Sequence, residues 1–125
     1  MGMHHHGRMT LWQAAALGVS PAVLTSPVID TNFMRSIALI AKAVAAGAPV
    51  ADLKITYAVS WDGETFGDYD DNVIEASTLL GKPEDPEDIQ EYEIVPAARF
   101  IKIRLANLTA TATTVDAYLD FTEET

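Results

Sequence analysis

The sequence predicts an all-β fold, an antiparallel β-sandwich or jelly roll of about seven to eight strands. Two observations lead to this prediction. Apolar and polar residues alternate over several short stretches, which is typical of strands with one buried face. Turn-forming residues separate these stretches at intervals of about ten residues, as in all-β domains. The 125 residues suffice for one domain, and no repeat of fixed period indicates a solenoid.

The clearest strand lies within residues 53–66, LKITYAVSWDGETF. Its apolar positions are Leu53, Ile55, Tyr57, Val59 and Trp61. Because they alternate with polar or small residues, they predict one buried face that includes Trp61. Asp62-Gly63 then favours a tight turn, since glycine tolerates a positive φ, and the segment is predicted to be a hairpin or a corner of a sheet.

The N-terminal residues 1–20 are predicted to be an arm, partly flexible or ordered by a partner, with residues 21–125 forming the sandwich. Residues 10–16 are apolar without clear periodicity, so strand and helix both stay open. The first ten residues lack the apolar core and cleavage site of a secretory signal. His4, His5 and His6 have three interpretations: a remnant of an expression vector, a flexible arm, or a metal-binding tract.

Two segments before residue 50 are harder to assign. Pro27 lacks a ladder N–H, so residues 23–29 are predicted to be an edge strand or an irregular extended segment. Residues 33–47, FMRSIALIAKAVAAG, match both a helical face and a strand face. We favour a strand because no N-cap is followed by Glu or Gln three residues later. Gly47, Ala48 and Pro49 would then form a hairpin loop leading to the strand at residue 53.

In the middle of the chain, acidic loops are predicted to separate short strands. Residues 67–72, GDYDDN, suit a solvated loop, and the apolar run 73–80 suits a strand. Residues 82–90, KPEDPEDIQ, contain two prolines and several acids, so they are predicted to be a surface loop. Residues 91–95 alternate again and predict another strand.

The last third of the chain contains two regular alternations, at residues 101–105 and 115–121. We predict that they pair as antiparallel strands with Ile103 opposite Ala117. That register would place Arg104 opposite Asp116 on the outer face, where opposite charges favour pairing.

Charge and composition exclude several classes of function. Eighteen acidic and eight basic residues give a formal net charge of −10, which repels nucleic acid and anionic membrane surfaces. No apolar run reaches the roughly 20 residues that span a bilayer. The absence of cysteine excludes disulfides and thiol chemistry. We therefore predict a soluble, acidic protein without nucleic acid or membrane partners.

No enzyme active site is predicted. The acids lie in highly charged loops without apolar surroundings that would raise a pKa, and the histidines lie in the N-terminal segment alone, so we expect neither a catalytic residue nor a cofactor. The acidic loop does offer oxygen ligands for calcium. The candidates are Asp62, Glu64, Asp68, Asp70 and Asp71. Their spacing departs from the EF-hand pattern, and a solvated acidic turn is the alternative.

Two segments resemble the discoidin, or coagulation-factor C-type, β-sandwich family. One strand of that family ends in S-x-D-G-x-x-W/F, which Ser60, Asp62, Gly63 and Phe66 match. A later strand has the pattern A-R-Y-I-R-I, which residues 98–103, ARFIKI, match. The resemblance covers residues 53–121 and implies a β-sandwich. The family's ligand-binding loops and terminal cysteines are not matched, so no ligand residue carries over.

The end of the chain, IKIRLAN followed by TATTVDAYLDFTEE, resembles small acidic β-sandwich proteins encoded among the structural genes of tailed bacteriophages. This resemblance implies a non-enzymatic virion protein, assembled in the host cytoplasm. More specifically, it implies a head decoration (cement) protein that forms a homo-oligomer, a trimer, and binds a capsid or other virion protein.

Apolar residues 10–29 would then supply contacts with other copies and with the shell, and Tyr69 and Tyr118 would contact a partner or a sugar. The partner-binding candidates are Leu11, Trp12, Leu17, Val23, Leu24, Tyr69 and Tyr118. The alternative function is a carbohydrate-binding β-sandwich module that uses loop aromatic residues and calcium.

Overall fold

Two antiparallel sheets packed face to face make up the computed structural model, which describes residues 4–45, 51–80, 89–95 and 98–124. This confirms the predicted all-β antiparallel sandwich. The described residues form nine strands: β1 (His4–Leu17), β2 (Val23–Thr25), β3 (Ile29–Asp30), β4 (Met34–Ala45), β5 (Ala51–Ser60), β6 (Val73–Leu80), β7 (Ile89–Ile94), β8 (Phe100–Asn107) and β9 (Thr113–Glu124). A short 3-10 helix spans Tyr69–Asp71. No helical segment in the described part of the chain has the length and apolar composition of a membrane-spanning helix.

The first sheet has the strand order β1-β9-β4-β7. Its centre is the β4–β9 pair, in which Leu39 lies opposite Leu119 and Ala41 lies opposite Ala117, all of them buried. From Ile37 to Ala43, every second residue of β4 enters the core, as the period of a strand requires. Residues 34–45 are therefore a strand, as predicted, although their composition also suits a helix.

The second sheet has the order β2-β8-β5-β6, and β3 also pairs with β8. β5 and β8 pair without a register shift, and Ile55 and Leu105 lie opposite each other in the core. At the β8 edge, Ser26 exchanges hydrogen bonds with Ile103: its amide donates to the Ile103 carbonyl (2.8 Å), and its Oγ accepts from the Ile103 amide (2.9 Å). Pro27 follows at the break between β2 and β3. The irregular edge predicted from Pro27 is confirmed.

The predicted pairing of the last two strands is wrong, because β8 and β9 belong to different sheets. Ile103 lies opposite Tyr57 of β5, and Ala117 lies opposite Ala41 of β4. Nor do β4 and β5 form a hairpin, since they also lie in different sheets; their connection, residues 46–50, lies outside the described residues. Alternation determines which side chains face the core but not which strand is the neighbour.

The segment expected to be an N-terminal arm forms β1 and pairs with β9 of the same chain. The register shifts between Thr10 and Trp12 and again between Trp12 and Ala15, which explains why the sequence shows no clear period there. Ala14 has a φ of 48°, and its amide donates to Asp116 Oδ1 (2.9 Å). Trp12 and Leu17 are only 9% and 2% exposed, so this segment is part of the sandwich.

Candidate interaction surfaces

Residues 61–72, which we call the acidic loop, cover the part of the second sheet's outer face that β5 forms. The loop returns along β5: the Gly67 amide donates to the Val59 carbonyl and the Tyr57 amide to the Asn72 carbonyl, both at 3.0 Å. Thr56, which points outward from β5, is consequently 1% exposed. The outward side of β5 at Thr56, Ala58 and Ser60 is therefore buried within the chain.

Cations of the second sheet contact the aromatic residues of the acidic loop. The Lys102 ammonium lies 4.2 Å from the ring centroid of Phe66, and the Arg104 guanidinium carbon lies 4.5 Å from that of Tyr69. Such contacts are attractive because the ring face carries partial negative charge. Tyr69, a predicted partner-binding residue, is thus half-buried inside the chain.

Asp70 is the common acceptor for two of these cations. Lys54 Nζ donates to Asp70 Oδ1 at 3.0 Å, and Arg104 lies 3.5 Å from the same oxygen. The hydrogen bond from Lys54 lowers the pKa of Asp70 from its ordinary value. Arg104 is therefore paired with Asp70, and the expected pairing with Asp116 is wrong.

The predicted turn at Asp62-Gly63 is organised by one carboxylate. Asp62 Oδ1 accepts hydrogen bonds from the amides of Thr65 and Glu64 and from Ser60 Oγ, each at 2.9 Å. These bonds favour the charged form, the Thr65 amide most strongly, and lower the pKa of Asp62 to about 2. Gly63 adopts a φ of 78°, as the turn prediction requires.

The acids suggested for calcium do not converge on one point. Asp62 binds the amides of its own turn, Asp70 binds Lys54, and Asp68 Oδ1 accepts from the Asp70 amide (2.9 Å) at the start of the 3-10 helix. In the part of the chain that the structure describes, no three His, Asp or Glu side chains are grouped to hold a metal. The carboxylates of Asp62, Asp68 and Asp70 thus stabilise the fold of the loop.

Three large apolar side chains are exposed at one end of the sandwich. Trp61, Val95 and Phe33 are 90%, 74% and 66% exposed. Trp61 and Val95 directly follow β5 and β7, and Phe33 directly precedes β4, so all three lie at the end of the sandwich where β4 and β8 begin. We call these three residues the apolar end. The prediction that Trp61 is buried is wrong, because β5 ends at Ser60 and the chain turns away before the next residue reaches the core.

The apolar end is braced by charged and polar groups. Arg99 donates to Asp30 Oδ2 at 2.9 Å, and Thr31 Oγ1 donates to the Arg99 carbonyl at 2.8 Å. The hydrogen bond from Arg99 lowers the pKa of Asp30. These contacts tie the start of β8 to the turn that carries Phe33.

The outer face of the first sheet is polar and carries a groove of about 830 Å³. Arg8 Nε donates to Asp120 Oδ1 at 2.7 Å, which lowers the pKa of Asp120, and the guanidinium carbon lies 5.2 Å from the ring centroid of Tyr118. Glu91 and Glu93 of β7 line the groove, together with His6 of β1 and Asp120 of β9. This face therefore has a cation at one edge and two carboxylates at the other.

The structure separates the predicted partner-binding residues into two groups. Val23 is exposed, and Tyr118 is half-buried on the outer face of the first sheet. Leu11 and Leu24 are half-buried against the core, and Trp12 and Leu17 are part of the core itself. Trp12 and Leu17 are therefore not exposed for contact with a partner, because their side chains fill the sandwich. The exposed residues Phe33 and Val95 were missed, although each lies directly outside a strand.

No protein-family model matches this chain, and no curated protein sequence matches it. Solved structures with a similar fold include the VP2 subviral particle of infectious bursal disease virus, with a TM-score of 0.63 and 9% identity over 96% of this chain and 32% of that chain. The Gx strain of the same virus gives a TM-score of 0.57 and 10% identity over 96% and 32%. The SPBc2 prophage-derived protein YomS gives 0.51 and 12% identity over 98% and 97%.

At these identities the similarity concerns the fold alone. The chain spans about a third of the viral chains, at 32%, but 97% of YomS. The two-sheet sandwich described here is thus an architecture that also occurs in a viral particle protein and in a prophage protein.

Proposed function

We propose that this chain is a non-enzymatic structural component of a virus particle, namely a phage head decoration protein that self-associates, as a trimer, and binds the capsid surface in the virion. The observation that carries the proposal is the match to the prophage protein YomS, which extends over nearly the full length of both chains. The similarity to part of a viral particle protein supports the same class of function.

The apolar end offers a surface for binding the shell. Trp61, Phe33 and Val95 extend from three separate strand ends, and their exposure leaves large apolar area in contact with water. Fully burying one such side chain against a partner contributes about 1.5–3 kcal/mol. Exposed apolar patches of this kind commonly mark interaction sites.

Co-sedimentation tests this proposal. The purified chain is mixed with shells of the virus or prophage whose genome encodes it, and the pelleted fraction is measured against chain concentration. We expect saturable binding that the double variant Trp61→Ala, Phe33→Ala weakens by at least about tenfold. Leu108→Ala, an exposed apolar residue at the other end of the sandwich, is the matched control and should bind normally. Absence of binding by the unmodified chain would contradict the proposal.

A second candidate function, a carbohydrate-binding module, is favoured by one observation, the 90% exposed indole of Trp61. Exposed aromatic rings in loops can stack on sugar rings with little loss of side-chain entropy. A glycan array, probed with calcium and with EDTA, tests this function. Glycan binding that Trp61→Ala abolishes, without binding to shells, would favour the module over the decoration protein.

A further inference from the structure

The edge strands of the first sheet are β1 and β7. In the ranges described, β1 pairs with β9 and β7 pairs with β4, and neither pairs with a second strand there. Strands at the edge of a sheet can pair with a strand of another chain. Residues 4–10 of β1 and all of β7 pair without a register shift. The second sheet is less suitable, because β2 is three residues long and β6 contains two register shifts.

The charges of the two edges are complementary. Residues 1–29 contain no acidic residue, and all 18 acids follow from Asp30 onward. On the outer face, the regular part of β1 presents His6, Arg8 and Thr10, whereas β7 presents Glu91 and Glu93. Two N–H groups of Arg8 bond Asp120, and a guanidinium has five, so Arg8 can also bind a carboxylate of another chain.

Strand direction allows the two edges to meet. All pairings in the first sheet are antiparallel, and the sheet has four strands, so β1 and β7 run in opposite directions. A second copy in the same orientation therefore brings its β1 antiparallel to β7 of the first copy, with the outer faces on the same side. In one row of neighbouring residues across the sheet, Arg8 lies opposite Asp120, Asp120 opposite Ala38, and Ala38 opposite Glu93. Continuing that row places the next copy's Arg8 beside Glu93.

We propose that copies of this chain associate head to tail, with β1 of one copy pairing with β7 of the next to continue the first sheet, and with Arg8 facing Glu91 and Glu93. The inference rests on the self-association included in the proposed function and names the surface responsible. A head-to-tail contact of this kind closes into a ring when the rotation between copies permits it. A symmetric β1–β1 contact is disfavoured, because it would bring Arg8 of two copies together.

Charge reversal tests the pairing. The variants are Arg8→Glu for the β1 edge and the double variant Glu91→Arg, Glu93→Arg for the β7 edge, with mass followed by light-scattering chromatography. We expect each variant alone to associate at least about tenfold more weakly than the unmodified chain, with its mass approaching the 13.5 kDa monomer. A 1:1 mixture of the two should regain association, because each then offers the charge that the other needs.

Two controls test whether the loss of association is specific to the edges of β1 and β7. Glu64→Arg, Asp71→Arg makes the same change in net charge on the acidic loop and should leave the mass unchanged. Arg8→Glu also removes the ion pair with Asp120, so its melting temperature is measured alongside, and the β7 variant provides the test that is independent of this ion pair.

The outcomes separate this inference from the proposed function. If the unmodified chain associates but the β7 variant retains its mass, the edge pairing is overturned and the proposed function stands. If the β7 variant stays associated while Arg8→Glu does not, the contact involves β1 but not the β7 carboxylates, and the β1–β7 pairing is overturned. If the unmodified chain is monomeric at every concentration, both this inference and the self-association in the proposed function fall, whereas shell binding is judged by co-sedimentation.

Discussion

Thr56 provides a test of how the acidic loop covers the second sheet. Its side chain lies under the loop and is 1% exposed, and Oγ1 has no hydrogen-bond partner among the described protein groups. A buried hydroxyl without a partner costs about 1–3 kcal/mol, and valine has nearly the same shape without the hydroxyl. We expect Thr56→Val to raise the free energy of unfolding by about 1 kcal/mol, the lower end of that range.

Thermal unfolding followed by circular dichroism measures this change. For a domain of this size, about 1 kcal/mol corresponds to a rise in melting temperature of roughly 3–5 °C. Thr113→Val is the matched control, because Thr113 is also buried but its Oγ1 donates to the Val44 carbonyl at 3.0 Å. Losing that bond should lower the free energy of unfolding by about 0.5–1.5 kcal/mol.

Opposite signs for the two valine variants are therefore expected. If Thr56→Val lowers the melting temperature as much as Thr113→Val does, then the Thr56 hydroxyl is satisfied in solution. The acidic loop would in that case leave room for water above β5, and this face would not be tightly covered.

Three further predictions concern the turn, the apolar end and the core. The pKa of Asp62 in the folded chain, about 2, lies below its ordinary 3.8. The stabilisation that its carboxylate gives the fold is therefore present above about pH 4 and is lost as the pH falls through about 2. The difference in melting temperature between the unmodified chain and Asp62→Ala should close over that interval. Trp61→Ala should change the free energy of unfolding by less than about 0.5 kcal/mol and remove the iodide-quenchable fluorescence, leaving the protected emission of Trp12. Leu39→Ala should cost about 2–5 kcal/mol in urea denaturation, because it leaves a cavity beside Leu119.

Each of these three predictions would be contradicted by a different result. A gap for Asp62→Ala that stays constant down to pH 2 would mean that the amide hydrogen bonds of the turn do not depend on its charge. Emission of Trp61→Ala that iodide still quenches would place Trp12 at the surface. A cost below about 1 kcal/mol for Leu39→Ala would mean that the two sheets do not meet at the β4–β9 pair.

The faces of the strands were predictable from sequence, because burial in a sheet follows from side-chain type and the period of two. Residues 101–105 and 115–119 have the buried positions that their alternation predicts, and Phe121 is half-buried against the core. Their pairing was not predictable, since both strands have equally apolar inner faces. Which sheet each joins depends on the whole topology, in which the chain crosses from one sheet to the other between β8 and β9.

The surfaces were less predictable than the core for a different reason. Trp61 continues the alternation of β5, but the strand ends one residue earlier, and strand ends are set by hydrogen bonding that alternation does not report. The covering of β5 by the acidic loop is, in contrast, indicated by the sequence. The outward residues Thr56, Ala58 and Ser60 are all small, which suits the close approach of a loop.

Assembly of this chain has to overcome its charge. Two copies at −10 repel each other over long range, yet this repulsion is screened beyond about 8 Å at physiological ionic strength. Attraction between groups in contact, such as Arg8 and a carboxylate of another copy, is screened much less. The cations Lys54 and Arg104 are engaged by Asp70 within the chain, whereas Arg8 stands at a sheet edge with N–H groups to spare. Because the acids begin only at residue 30, β1 itself adds no negative charge where it approaches another acidic copy.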